Sequence, residues 1–304
     1  MLEAEYKISH LRHKQMFGGL HATYIGPILV TPEQMPERNA MNQPQVSIAT
    51  FFDYAVPIEE QLPLVAEAGF SHLSLGGKEP HSDHLSVTGR QRLKKLLQQY
   101  NLSIDTIHGT QADKPDSAER LTAVAISARD LSVPVVVMHA SSWDFPAEQL
   151  PERLEAVLKT CSVLERVAED TGVLFAIENV MPGPATDIVP QALNWLNPKY
   201  FGFCYDSSHD QIGGPKPFDL LESLKERLIA VHLSDRIREF VDHVPPGEGF
   251  IDWTSLTAIL RTAPFTGPLL FEIATEHSIE KDPKCFLKLA YERACQIEAM
   301  IRPA

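Results

Sequence analysis

Eight short apolar segments recur through most of this 304-residue chain, and stretches of helical periodicity separate them. Such runs are typical of strands buried on both faces, and their alternation with helices favours parallel βα units. The predicted fold is therefore α/β, and a closed (β/α)8 barrel, the TIM barrel, is the economical way to join eight units. The predicted strands span residues 46–52, 72–76, 103–109, 133–140, 173–180, 201–206, 228–235 and 268–274.

An open, doubly wound sheet is the alternative arrangement of these units. That fold usually carries a glycine-rich phosphate-binding turn after its first strand. The corresponding segment here reads FFDYAVP and contains no glycine, which favours the closed barrel. Residues 1–44 differ from the rest of the chain, because they are polar and rich in turn-forming residues. We therefore predict a single barrel domain at 45–304, preceded by an N-terminal extension at 1–44.

Capping residues mark the ends of several predicted helices. Gly69 follows a helical stretch at 61–68 and suits the left-handed backbone that often ends a helix. Asp116 and Asp252 stand before helical stretches, where a carboxylate can accept hydrogen bonds from the first free amides. The remaining predicted helices span residues 90–100, 117–131, 150–170, 253–262 and 286–301.

The composition limits the classes of partner. The formal net charge is −13 and no Lys/Arg run is present, so no nucleic-acid partner is expected. No stretch approaches the roughly 20 apolar residues of a transmembrane helix, and residues 1–19 lack the apolar core of a signal peptide. The four cysteines show no paired spacing, which favours reduced thiols. A cytoplasmic protein without a membrane partner is the resulting expectation.

Four of the late strands end in residues that bind metals. These residues are Glu178, Asp206, His232 and Glu272. Parallel strands present their C-terminal ends at the same rim, so the four side chains should converge there. Three carboxylates and one imidazole form a hard ligand set, which suits Mn²⁺, Mg²⁺ or Co²⁺ better than a structural zinc.

In their joint order, the segments IENV, DSSH, HLSD, PGEGFIDW and FEI resemble the xylose-isomerase-like TIM barrel superfamily, the sugar phosphate isomerase/epimerase family. The resemblance implies that Glu178, Asp206, His232 and Glu272 bind one divalent ion. Mn²⁺ is the first expectation, with Mg²⁺, Co²⁺ or Zn²⁺ as alternatives. In the ketose-epimerase branch the two glutamates also carry protons, which implies catalytic roles for Glu178 and Glu272.

The same resemblance implies residues that contact the substrate. His209 lies three positions after the candidate ligand Asp206 and matches a residue that contacts a substrate oxygen. Arg238 matches a substrate-binding arginine. Glu248 lies in the glycine-containing segment PPGEGFID, and it is either a substrate contact or part of a structural turn.

Histidines at two strand ends connect the chain with the endonuclease branch of that superfamily, which uses three zinc ions. His108 and His139 match two of the zinc-binding positions, and His243 stands near a third. The acidic partner expected two residues before that third histidine is replaced by Val241. In an enzyme with one metal ion, His108 and His139 are expected to contact the substrate or a ligand.

This set of residues predicts proton transfer next to a carbonyl. A divalent ion would stabilise the negative charge that develops on oxygen, while one carboxylate removes a proton and another returns it. We therefore expect an isomerase or epimerase of a small sugar, polyol or keto acid. The alternatives are a dehydratase of an inosose- or dehydroshikimate-type substrate, a zinc-dependent apurinic endonuclease, and a sugar-binding barrel without catalysis. Assembly into a homo-oligomer is common in the resembled family.

Overall fold

The structure, a computed structural model, describes residues 45–210 and 217–302 and contains the predicted barrel. Eight parallel strands pair in chain order, and β1 pairs with both β2 and β8, so the sheet is closed. The α/β (β/α)8 prediction is confirmed, and the open sheet is excluded. The strands are β1 Val46–Ala49, β2 His72–Leu75, β3 Ser103–His108, β4 Val135–His139, β5 Leu174–Glu178, β6 Phe201–Asp206, β7 Leu228–Leu233 and β8 Leu269–Phe271.

Helices follow the strands, as the periodicity predicted. Among the described residues, no helix is long and apolar enough to cross a membrane. The predicted extension at 1–44 lies outside the described residues and stays a prediction. The helices are α1 Ile58–Ala68, α2 Glu79–Ser82, α3 Val87–Tyr100, α4 Ser117–Leu131, α5 Leu150–Thr171, α6 Pro184–Trp195, α7 Ser207–Asp210, α8 Asp219–Leu224, α9 Trp253–Thr262 and α10 Pro283–Ile301.

Small side chains fill the inside of the barrel, whereas larger ones pack between the strands and the helices. The inner group consists of Val135, Val137, Ala176, Cys204 and Ala230. The outer group is far larger, and on β5 it includes the residues on either side of Ala176. This alternation is expected because successive side chains of a strand point to opposite faces. It decides which strand-end residues face the barrel axis.

Two of the three predicted caps are confirmed. Gly69 has φ of +110° and donates its N–H to Ala66. The carboxylate of Asp252 accepts hydrogen bonds from the backbone amides at 254 and 255. The predicted Asp116 cap is wrong: the residue stands at the N-cap position of α4, but its side chain makes no capping hydrogen bond. Its backbone has φ −95° and ψ 1°, away from the extended conformation that N-cap residues typically adopt.

Strand β1 is shorter than predicted. It ends at Ala49, and residues Thr50–Asp53 form a 3-10 turn. The amide of Gln61 donates from Nε2 to the carbonyl oxygens of Thr50 (3.0 Å) and Asp53 (2.7 Å). A side chain from α1 therefore satisfies carbonyls that a longer strand would have paired within the sheet.

The four cysteines are free thiols, as predicted from their spacing. Cys161, Cys204 and Cys295 are buried, and Cys285 is exposed. Burial raises the pKa of the Cys204 thiol to about 12, which keeps it protonated at neutral pH. The three buried cysteines therefore contribute to packing, and none of the four belongs to the ligand group at the strand ends.

Candidate metal centre

Strand periodicity turns the four candidate ligands toward the barrel axis. Glu178 lies two residues after Ala176 on β5, and Asp206 lies two residues after Cys204 on β6. Residues two apart on a strand point to the same face. With His232, two residues after Ala230 on β7, these two ligands continue inward-facing rows of small side chains. Glu272 directly follows the end of β8.

The four ligand side chains meet at one point. Nδ1 of His232 lies 2.8 Å from Oε1 of Glu178 and 2.7 Å from Oε2 of Glu272. One ligand atom from each of the four residues, including Asp206, lies within 4.8 Å of the others. Glu178, Asp206 and His232 are at most 1% exposed. The predicted ligands are thus brought together, and their role as ligands stays a prediction.

Asp206 shows how a carboxylate can serve the fold and the site together. Its Oδ1 accepts hydrogen bonds from the amide and hydroxyl of Ser208 (2.7 and 2.9 Å) and from the amide of His209 (3.1 Å). Its Oδ2 is buried and has no hydrogen-bond partner among the described residues. A buried carboxylate oxygen without a donor is costly. A cation at this point would remove that cost, so the residues present fit a divalent ion.

The electrostatics of the group also favour a cation. Burial alone would raise the pKa of Glu178, yet the imidazoles of His232 and His139 hold it well below its ordinary value. Burial would also raise the pKa of Glu272, but the imidazole of His232 lowers it to about 2. Burial would lower the pKa of His232, but neighbouring acidic groups raise it well above its ordinary value. Crowded carboxylates therefore draw positive charge to this point.

His108 and His139 both contact the second oxygen of Glu178. Their Nε2 atoms lie 3.0 and 3.2 Å from Oε2 of Glu178. The two rings meet edge to face, with centroids 4.9 Å apart. The predicted contact of these histidines with a candidate ligand is present, and they hold the orientation of its carboxylate.

His209 and His243 lie next to Asp206. Nδ1 of His209 lies 3.1 Å from the carbonyl oxygen of Asn179 and 3.4 Å from Oδ2 of Asp206. Nε2 of His243 lies 3.8 Å from the same Oδ2, and its Nδ1 lies 3.0 Å from Oδ1 of Asp242. From the sequence, His243 is expected only as an endonuclease-type ligand, and nothing predicts that Asp242 lies at the site. Both lie in a long loop after β7, where strand periodicity gives no direction.

Two predicted substrate contacts do not join this group. Arg238 is exposed and forms a backbone bridge with Val241. The buried arginine of this loop is Arg236, whose Nη2 lies 2.8 Å from Oδ2 of Asp242. Glu248 accepts hydrogen bonds from the hydroxyl of Ser278 (3.1 Å) and the amide of residue 279 (3.0 Å), so it ties two loops together. A substrate role for Arg238 and Glu248 stays a prediction.

The model of the family described as "Xylose isomerase-like TIM barrel" matches residues 62–289. The chain belongs to this family. Among curated proteins it is similar to the uncharacterized protein y4fM of Sinorhizobium fredii (strain NBRC 101917 / NGR234), with 21% identity over 286 residues that cover 83% of this chain and 92% of that protein.

Solved structures of sugar epimerases share the fold. 3-Keto-D-glucoside 4-epimerase YcjR from E. coli has a TM-score of 0.65 and 16% identity, covering 84% of this chain and 98% of that one. D-psicose 3-epimerase with D-tagatose from Clostridium cellulolyticum H10 has a TM-score of 0.67 and 15% identity, covering 84% and 99%. The IOLI protein with a zinc atom has a TM-score of 0.68 and 16% identity, covering 85% and 99%.

The segments HLSD and PGEGFIDW, which carried the resemblance to the family, are joined by one buried carboxylate. Oδ1 of Asp235 accepts from the amides of Arg236 (2.8 Å) and Ile251 (3.1 Å). Its Oδ2 accepts from the amide of Gly247 (2.8 Å) and the indole of Trp253 (3.0 Å). At Gly249 an added Cβ would lie 2.2 Å from Oδ1 of Asp235, so this close approach requires glycine. The motif therefore shapes the loop that carries His243.

Replacing Asp235 by alanine is expected to destabilise the protein by about 3 kcal/mol or more. Four donors lose an ionised acceptor at once, and each hydrogen bond to a charged group contributes about 1.5–3 kcal/mol. Urea unfolding of the variant measures this loss. Asp252→Ala is the matched control, because it removes an exposed helix cap that contributes about 1 kcal/mol. Equal stability of the two variants would contradict the central role of Asp235.

Two cavities adjoin the ligand group. One has a volume of about 330 Å³ and includes Trp143, Met181 and Phe240 in its walls. The other is a more open groove of about 630 Å³, and Tyr54 and Lys78 contribute to it. Both also touch His108, His139 and Glu272. A ligand in either cavity can therefore reach the candidate metal centre.

Proposed function

We propose that this protein is a divalent-metal-dependent isomerase or epimerase that acts on a small sugar, polyol or keto acid. The observation that carries the proposal is the pair of carboxylates, Glu178 and Glu272, that contact the same atom of His232 beside two cavities. Of two carboxylates beside a cation site, one can remove a proton from the substrate and the other can return it. The structural neighbours that are named as sugar epimerases agree with a sugar substrate.

The two glutamates differ in how a substrate can reach them. The side chain of Glu272 is 14% exposed, whereas that of Glu178 is 1% exposed. Glu272 is therefore the carboxylate that takes a proton directly from a substrate carbon. Glu178 is held by His108 and His139 on one oxygen, so its orientation is fixed when it returns a proton.

Glu178, Asp206, His232 and Glu272 would hold the metal ion. When bound, a divalent cation would stabilise negative charge on the substrate oxygens. Three oxygen ligands and one nitrogen ligand favour Mn²⁺, with Mg²⁺ and Co²⁺ next. Zn²⁺ is the other candidate, and the IOLI structure contains a zinc atom. His209 lines the cavity of about 330 Å³ beside these residues and would bind a substrate hydroxyl there.

Dehydration is the alternative reaction for this constellation. If the carbon next to the one that loses a proton carries a hydroxyl group, that hydroxyl can take up a proton and leave as water while a C=C bond forms. The reaction is then a dehydration, because no proton returns to carbon. The same base, Glu272, would serve both reactions. Screening inosose- and dehydroshikimate-type substrates beside ketoses distinguishes them, because only dehydration yields an unsaturated product with a new ultraviolet absorption.

A zinc-dependent apurinic endonuclease is the second candidate, and one observation favours it. Two further groups of ligand atoms meet within 4.8 Å, namely His108 with Glu178 and His232, and Asp206 with His209 and His243. Several zinc ions could bind such overlapping groups. The net charge of −13 opposes binding to a phosphate backbone.

Metal content and isotope exchange test the proposal together. Protein purified without chelator should contain one divalent ion per chain, and the metal-loaded enzyme should incorporate deuterium from D₂O next to the carbonyl of a ketose. EDTA should stop this exchange, and Mn²⁺ should restore it. Several zinc ions per chain with cleavage of abasic DNA would instead support the endonuclease. Binding of a sugar without any deuterium incorporation would indicate that the barrel binds sugars without catalysis.

We also propose that the protein is cytoplasmic and that it assembles into a homo-oligomer. Free cysteines, three of them buried, support the reducing compartment. Sedimentation of the purified chain at several concentrations measures its oligomeric state.

A further inference from the structure

Two cavities of different chemistry adjoin the candidate metal centre. We call the first the aromatic lobe, defined by Trp143, Val180, Met181 and Phe240. The second is the polar lobe, defined by Tyr54, Gly77, Lys78, Thr110 and Gln111. Their volumes are about 330 and 630 Å³, and ligand sites for drug-sized molecules measure about 300–1,000 Å³. Each lobe alone therefore has room for a small ligand.

The aromatic lobe offers an apolar wall of two aromatic rings that are inclined to one another by 53°. The rings of Trp143 and Phe240 lie with centroids 5.7 Å apart, and each side chain is about half exposed. Phe240 has a φ of +59°, an uncommon conformation for a bulky residue. The two side chains come from the loops after β4 and β7, so they meet from different parts of the rim. The C–H face of one sugar ring can pack against such a wall.

The polar lobe offers groups that recognise hydroxyls. Nζ of Lys78 lies over the ring of Tyr54, 5.2 Å from its centroid, and the Tyr54 hydroxyl accepts a hydrogen bond from the Lys78 amide (3.3 Å). Thr110 and Gln111 add a hydroxyl and an amide to the same groove. An ammonium, an amide, hydroxyls and an aromatic face together suit a polyhydroxylated ligand better than an apolar one.

Gly77 leaves the polar lobe open without a structural need for glycine. Its φ lies outside the left-handed region, and an added Cβ would meet its nearest atom, Nδ1 of His108, at 3.7 Å, an ordinary contact. The preceding residue is different, because a Cβ at Gly76 would lie 2.3 Å from the Tyr54 hydroxyl. Packing thus explains Gly76 but not Gly77. The missing side chain at Gly77 instead keeps space free next to His108, at the edge of the polar lobe.

We propose that the substrate is an O-substituted sugar, a glycoside whose second, polyhydroxylated ring occupies the polar lobe. The reacting sugar lies at the metal centre against the aromatic lobe, and the substituent extends past Gly77 toward Lys78 and Gln111. This inference rests on the proposed proton-transfer function and specifies its substrate class. A free monosaccharide at the metal centre would leave the larger lobe empty and would gain none of its contacts.

Matched pairs of sugars test the inference with the metal-loaded, full-length protein. One pair is D-fructose and the disaccharide in which glucose is linked to its O6, and the other is 3-keto-D-glucose and a 3-keto-D-glucosyl disaccharide. Deuterium incorporation next to the carbonyl gives kcat/KM for each sugar. In at least one pair, the wild-type enzyme should prefer the disaccharide by about tenfold or more, the scale of discrimination that a few pocket contacts provide.

The Gly77→Leu variant tests the position of the second ring. The leucine should lower kcat/KM for the preferred disaccharide about tenfold and leave that of its free sugar within about twofold. Gly77→Ala is the matched control and should retain the wild-type preference, because its Cβ makes only ordinary contacts. Metal content of each variant confirms that the centre is intact.

Two results would overturn the inference. Equal kcat/KM for both members of each pair would show that the enzyme does not recognise a second ring. If Gly77→Leu lowered kcat/KM equally for the free sugar and the disaccharide, the second ring would not lie next to Gly77. If no sugar incorporated deuterium next to its carbonyl, the proposed proton-transfer function would be contradicted, and the inference about its substrate with it.

Discussion

Turnover of the Glu272→Gln variant is expected to fall about 100- to 10,000-fold, the range that a positioned acid or base contributes. Glutamine keeps the size of the side chain but cannot accept a proton from carbon at neutral pH. Among Glu178, Asp206 and Glu272, the three carboxylates of the ligand group, Glu272 is the most exposed, and it lies against both cavities. Deuterium incorporation into the substrate measures the lost step directly.

Glu276→Gln is the control for that experiment. This residue lies four positions further along the same loop, is exposed and should leave turnover unchanged. Circular dichroism and metal content of both variants separate lost chemistry from lost folding or lost metal. Glu272→Gln with wild-type turnover would exclude Glu272 as the base and leave Glu178 as the only strand-end glutamate of the group for that role.

The fold and the ligand group could be predicted from the sequence because both depend on strand periodicity. Eight apolar runs correspond to eight strands, and the closed order is the one expected of parallel βα units. On β5 the two-residue period connects inward-facing Ala176 with Glu178, and on β7 it connects Ala230 with His232. Convergence at one rim then needs only the common direction of the strands. No loop geometry is required for it.

The rest of the site could not be predicted because loops have no such period. Arg236 and Arg238 lie two residues apart after β7, yet only Arg236 is buried against Asp242. The loop turns at Phe240 and His243, which both have positive φ, and at Gly247, whose amide binds Asp235. These conformations bring His243 to the candidate metal centre. Nothing in the order of polar and apolar residues specifies them.

Asp206→Asn is expected to weaken metal binding by at least about 10- to 100-fold, the range that loss of a ligand's supporting partner already causes. Asparagine can keep its Oδ1 as acceptor for the Ser208 amide and hydroxyl and the His209 amide, so the loop after β6 should remain in place. The buried Oδ2, which has no hydrogen-bond partner among the described residues, becomes a neutral amide group. Titration of the metal-free variant with Mn²⁺ gives the affinity.

Asp210→Asn is the control for the loss of a negative charge near the same loop. Asp210 accepts hydrogen bonds from the hydroxyl of Tyr205 (2.9 Å) and the amide of Phe218 (3.0 Å), and it is not among the grouped ligand atoms. Its substitution should leave the Mn²⁺ affinity close to that of the wild type. Excess Mn²⁺ should restore part of the turnover of Asp206→Asn, because the two glutamates remain. If Asp206→Asn bound Mn²⁺ with unchanged affinity, Asp206 would have no role in holding the metal. The centre would then consist of His232 and the two glutamates.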